Sequence, residues 1–131
     1  MIDYTYKNVN PKHKTCDCST RALVSTLDIP YDEALKLQTA ESLKCYYAPQ
    51  SKQLMERLLK KFGYVKMKQP RKNDKTKYKV YEMDEILTNK QMRAGVLITV
   101  AGHYTCIKNG TVIDIWDCRD KTVGNYYVKA E

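Results

Sequence analysis

Gly102-His103-Tyr104-Thr105-Cys106-Ile107-Lys108-Asn109-Gly110-Thr111-Val112-Ile113-Asp114-Ile115-Trp116-Asp117 is the stretch that decides how this chain reads. Asn-Gly favours the type I′ turn that joins two antiparallel strands. His103 to Lys108 and Thr111 to Asp117 therefore read as a β-hairpin about Asn109-Gly110. In that register Lys108 faces Thr111, Thr105 faces Asp114 and His103 faces Trp116. Cross-strand partners carry their side chains on the same face, so His103, Thr105, Asp114 and Trp116 are expected to share one. Asp114 lies diagonal to His103, within reach of an imidazole nitrogen, and Trp116 lies across from it as a shield against water. Asp117 has the opposite parity and is the alternative acid, reached only through a bulge.

Around the hairpin, Val96 to Val100 reads as a buried strand and Asn125 to Lys129 as a last one. Upstream the pattern turns helical. Ala22, Leu23, Val24 and Leu27 give an apolar stripe to a helix from about Cys18 to Leu27, capped by Asp17 or Thr15 and ended at Asp28-Ile29-Pro30. A second helix begins after Pro30 with Ala34, Leu35 and Leu37 inward. Leu54, Met55, Leu58, Leu59 and Phe62 mark a third, with Gly63 as its C-terminal cap. Tyr64 to Lys68 alternates like a strand, Gln69 to Lys77 is a polar loop, Tyr78 to Tyr81 a short strand, and Met83 to Met92 a short helix. Residues 1–15 read as irregular. Helices first and strands last predict one α+β domain over residues 1–131, with N-terminal helices packed on a C-terminal antiparallel β-sheet.

Composition narrows the function class. With 43% hydrophobic and 29% charged residues, 131 residues suffice for a core without disulfides. No apolar run reaches membrane-span length and Met1-Ile2-Asp3-Tyr4 is unlike a signal peptide, so a cytoplasmic protein without membrane contact is expected. Five Cys cannot all pair internally, which fits a reducing compartment. A net charge of +8 favours an acidic partner or nucleic acid.

The chemistry begins with Cys18 at the expected start of the first helix. A helix N-terminus and a neighbouring imidazolium both stabilise a thiolate. Such a thiolate attacks a carbonyl, His103 moves the proton, and Asp114 orients the ring. The backbone N–H of Cys18 would hold the oxyanion together with an upstream polar group, for which Asn10 and Lys12 are the candidates.

At these residues a family resemblance emerges. Asp17-Cys18-Ser19-Thr20-Arg21-Ala22 resembles the Asp-Cys-x-x-Arg-Ala helix start of small papain-like cysteine peptidases. These occur in bacteriophages and their bacterial hosts and are related to bacteriocin-processing peptidases. Tyr31-Asp32-Glu33-Ala34 is similar to the start of the second helix in that group. Gly102-His103-Tyr104 and Ile113-Asp114-Ile115-Trp116-Asp117 resemble its catalytic hairpin. The resemblance implies a papain-like fold and Cys18 as nucleophile, His103 as general base and Asp114 as orienting acid. It further implies a protein or peptide substrate, no cofactor and, for a phage-encoded chain, a place in the host cytoplasm. Cys16 stands where Gly is more usual in the group, and Lys12 where papain itself has Gln.

Three other readings compete. Lys66, Lys68, Arg71, Lys72, Lys75, Lys77 and Lys79, with Tyr78 and Tyr81 beside them, could bind nucleic acid or an acidic protein surface. A zinc site would draw on His13, Cys16, Cys18, Cys45, Cys106 or Cys118, but Cys16-Asp17-Cys18 is too close for the usual Cys-x2–4-Cys pairing, so no metal is expected. An inactive peptidase fold retained for binding is the third.

Overall fold

Val96–Val100 forms the central strand because its apolar run serves both faces of a sheet. In the computed structural model, which describes residues 1–131, Val96, Ile98 and Val100 enter one core with Val80, Met83, Leu87 and Met92. Leu97 points the other way, among Leu23, Leu54, Leu58 and Leu59. The alternation of a β-strand divides one segment between two hydrophobic layers.

The elements in chain order are β1 (Asp3–Tyr6), α1 (Cys18–Leu27), α2 (Tyr31–Cys45), α3 (Lys52–Lys61), β2 (Tyr64–Met67), a 3₁₀ turn (Val80–Glu85), α4 (Asn89–Ala94), β3 (Val96–Val100), β4 (His103–Lys108), β5 (Thr111–Asp114) and β6 (Val123–Lys129). The sheet has six strands in the order β1-β5-β4-β3-β6-β2. Helices α1 and α3 pack on the Leu97 side, and the 3₁₀ turn and α4 cover the other. The fold is α+β, helices on a sheet. No helix is long and apolar enough to cross a membrane.

The hairpin turn follows local chemistry: Asn109 and Gly110 take φ of 53° and 77°, and Lys108 pairs with Thr111. Gly95 answers a different need. A Cβ there would lie 2.5 Å from the Thr26 carbonyl oxygen, so its bare backbone lets the end of α1 approach β3.

Several expectations need correction. The sheet is mixed, because Asp3–Tyr6 pairs in parallel with Thr111–Asp114 where the segment reads as irregular. A four-residue edge strand of polar and aromatic residues carries little local signal and depends on its distant partner. The strand expected at Tyr78–Tyr81 is reduced to one bridge between Lys79 and Thr122. The helix expected over Met83–Met92 is divided at Thr88, whose hydroxyl accepts from the Gln91 N–H and restarts the chain as α4. The second strand of the hairpin ends at Asp114, short of Asp117.

On α2, Leu35 is exposed, while Ala34, Gln38 and Glu41 face inward. The interior partners are polar. Gln38 Nε2 donates to Ser19 Oγ at 3.1 Å and the Pro49 carbonyl at 3.0 Å, and its Oε1 accepts from Thr20 at 2.6 Å. Glu41 meets Arg57 at 2.9 Å and also Lys61. A buried polar group keeps its place when its hydrogen bonds are satisfied, and here that outweighs the leucine pattern.

Candidate active site

Cys18 is the first residue of α1 and is half-buried. Asp17, at the N-cap, makes no side-chain bond to the first turn. Its carboxylate accepts instead from Tyr31 Oη at 2.6 Å and Asn10 Nδ2 at 2.8 Å, and pairs with Arg21. Asp17 is thus a clasp rather than a cap. The first-turn N–H groups of α1 are left without a side-chain cap beside Cys18. Burial would raise the Asp17 carboxyl, but the bonds from Tyr31, Asn10 and Arg21 prevail and hold it below its ordinary value. Tyr31 in turn is pushed up to about 12 by burial and by Asp17.

His103 opens β4, at the end of the strand facing the start of α1. Its Nε2 lies 2.6 Å from Asp114 Oδ2. The same ring is close enough to the Cys18 thiol for each to shift the titration of the other, and with Nε2 committed to Asp114, Nδ1 is the nitrogen left to face sulfur. Asp114 is 5% exposed, and its Oδ1 accepts from the Ile115 N–H at 2.7 Å. Three groups separated by 85 and 11 positions in the chain therefore come together, His103 bonded to Asp114 and neighbouring Cys18.

The electrostatics match that geometry. Cys18 is lowered from its ordinary value by the neighbouring His103 ring, which outweighs burial, with further help from the Tyr104 backbone and the charge of Arg21. Burial disfavours a charged His103, yet the bonds and charges of Asp114 and Cys18 raise it to about 9. Burial also pushes against an ionised Asp114, but the bond from His103 keeps its carboxyl below the usual range. Both shifts act in the same sense, toward thiolate and imidazolium.

Trp116 lies beyond the end of β5, with its ring 5.0 Å from His103 at an interplanar angle of 80°. The edge-to-face contact covers part of the imidazole, although 40% of Trp116 stays exposed. Asp117, the alternative acid, turns away and binds Arg119 through two contacts of 2.9 Å. The strand has ended at Asp114, and past its end the chain brings Asp117 to Arg119 instead.

The side chains considered as oxyanion donors are engaged elsewhere or exposed. Asn10 Nδ2 bonds Asp17 and Tyr31, and its Oδ1 accepts from the Lys12 N–H at 2.8 Å. Lys12 itself is exposed. The donors that the site offers are backbone N–H groups of the uncapped first turn of α1.

Sequence reasoning gives Arg21 no role of its own, yet the fold does. It is 5% exposed, pairs with Asp17, donates to the Thr15 carbonyl at 3.2 Å and stands 3.8 Å from Asp114. It therefore ties the start of α1 to β5. The signal that could have found it is its position in Asp17-Cys18-x-x-Arg21, one helical turn beyond the aspartate.

The basic loop is partly neutralised: Lys72 pairs with Glu82 and lies 5.4 Å over the Tyr78 ring, and Lys66 reaches Glu56 at 3.4 Å. Lys68, Arg71, Lys75, Lys77 and Lys79 are exposed and have no carboxylate partner. Cys106 and Cys118 are buried and pushed up to about 11 by desolvation, Cys16 is exposed and Cys45 half-buried. No three His, Cys, Asp or Glu side chains cluster to hold a metal ion. No family model, no curated protein and no solved structure matches this chain.

Proposed function

We propose that this protein is a thiol-dependent hydrolase of the papain-like type, acting on an amide or related acyl bond through Cys18, His103 and Asp114. The observation that carries the reading is the 2.6 Å contact from His103 Nε2 to Asp114, made by a ring whose neighbour, a thiol at a helix N-terminus, is shifted toward its ionised form. In the reaction the Cys18 thiolate adds to the acyl carbon, and the oxyanion forms against the backbone N–H groups at the start of α1. The imidazolium of His103 gives its proton to the leaving group, which departs as a thioester forms on Cys18. Neutral His103 then takes a proton from water, whose oxygen attacks the thioester. The acid leaves and the thiol–imidazole pair is restored. Asp114 holds the ring in orientation throughout and stays ionised.

Limiting iodoacetamide near pH 6, with the modified cysteine mapped by mass spectrometry, tests the reading. Cys18 should label selectively, and the selectivity should vanish in His103→Ala. Cys18→Ala should abolish turnover with the fold intact. Uniform slow labelling of all five thiols would remove the proposal.

A second reading, a catalytically inactive binding protein on this scaffold, is favoured by one observation. The Asn10 amide is committed to Asp17 and Tyr31, which leaves the oxyanion to backbone donors alone. Selective labelling without turnover of any acyl substrate would support it.

A further inference from the structure

The His103 side of the site opens into a groove of about 670 Å³. Its walls come from the β3–β4 turn, the start of α3 and the start of β6. Thirteen residues line it, and none is Asp or Glu. The polar side chains are amides and hydroxyls, including Gln69, Thr99, Thr122 and Asn125, with Lys52 as the one fixed charge besides His103.

Cations also border the groove. Lys79 Nζ reaches 3.4 Å from the Thr122 hydroxyl, which is part of the wall. Lys121 Nζ sits 5.9 Å over the Trp116 ring, beside His103. Lys68 is exposed and adjoins Gln69, whose amide donates to the Val123 carbonyl at 2.9 Å. Glu82 is engaged by Lys72, Glu56 by Lys66 and Asp74 by Thr76, while Asp120, next to Lys121, is exposed and lies outside the lining.

We propose that this groove takes an acidic polypeptide segment of the substrate, flanking the bond that Cys18 attacks. The proposal rests on the hydrolase reading above and adds its substrate class. The groove supplies positive charge and polar amide and hydroxyl groups, and its lining holds no carboxylate. A Glu- or Asp-rich segment meets all of these at once, and like-charged basic segments are repelled. Nucleic acid is the weaker occupant. Of the two tyrosines beside the basic loop, Tyr78 is half-buried against the core with Lys72 over its ring and Tyr81 alone is exposed, so the pair on which successive bases would stack is incomplete.

The test uses Cys18→Ala protein, so that binding is read without turnover. A fluorescein-labelled Glu-rich decapeptide is titrated by anisotropy at low ionic strength, against the same peptide with Gln for Glu and against a thymidine oligonucleotide. The Glu peptide should bind at least about tenfold more tightly than the Gln peptide, and salt should weaken it. Lys52→Glu, Lys68→Glu and Lys121→Glu combined should cost at least about tenfold, with circular dichroism unchanged. Lys36→Glu, Lys44→Glu and Lys90→Glu combined, on α2 and α4, match that change in net charge and should have little effect. Equal binding of Glu and Gln peptides, insensitivity to the triple substitution, or tighter binding of the oligonucleotide would each overturn the proposal. Alkylation of Cys18 is measured separately on the unsubstituted protein, so failure of the thiolate reading and failure of the acidic preference appear in different samples.

Discussion

Replacing Asp114 by Asn is the sharpest perturbation of the site. The amide has nearly the same shape, so packing beneath the hairpin is kept, but the charge 2.6 Å from His103 Nε2 disappears. Raising His103 from its ordinary 6.5 to about 9 corresponds to about 3 kcal/mol in favour of the imidazolium, at about 1.4 kcal/mol for each tenfold change. That preference comes from Asp114 and Cys18 acting against burial. With Asp114 neutral, burial and one remaining partner should bring the imidazole back to about its ordinary value or below it. The readouts are the imidazole proton resonance of His103 against pH, assigned in a His13→Gln background, and the pH dependence of Cys18 alkylation. The labelling advantage at pH 6 should shrink by about tenfold or more, and turnover should fall by a factor on the order of 10² to 10⁴. Asp117→Asn, which removes only the partner of Arg119, should do neither. An unchanged His103 titration in Asp114→Asn, or a larger effect from Asp117→Asn, would refute the assignment of the acid.

Other consequences can be measured on the same protein. Arg21→Met leaves the Asp17 and Asp114 carboxylates without their buried cation; urea denaturation should show a loss of about 3 kcal/mol. His103 has a folded-state pKa above its unfolded value, so its contribution to stability is complete below about pH 6.5 and lost as the pH rises through about 9. The stability gap between the natural chain and His103→Gln should therefore narrow by about 1–3 kcal/mol between pH 6 and 10; a gap that widens would contradict the ion pair. Gly95→Ala would set a Cβ 2.5 Å from the Thr26 carbonyl at a φ of 100°. It should cost at least about 2 kcal/mol and, by displacing α1, should slow Cys18 alkylation.

Asn109-Gly110 and the alternation beside it are local signals, because a type I′ turn imposes its register on the strands it joins. The placement of His103 beside Asp114 is therefore legible in the amino-acid sequence, whereas Asp117 lies past the end of the strand, where the expected register no longer runs. The apolar repeat of Leu54, Met55, Leu58 and Leu59 is equally readable, since helical spacing and the inward face of α3 coincide. The nucleophile is a mixed case. Cys18 at a helix start is legible, but its contact with a residue 85 positions later depends on how α1 docks against β4.

What the tertiary structure alone decided lies where long-range partners outweigh local preference. Asp3–Tyr6 is a strand only because Thr111–Asp114 lies alongside it in parallel. Gln38 and Glu41 are interior because Thr20, Ser19, Arg57 and Lys61 satisfy their polar atoms, while Leu35 is left in solvent. Asp17, which local chemistry would make a cap, joins Tyr31, Asn10 and Arg21 instead. Periodicity and turn chemistry act between residues a few positions apart. Burial, ion pairing and parallel strand addition act between segments that only the folded chain brings together.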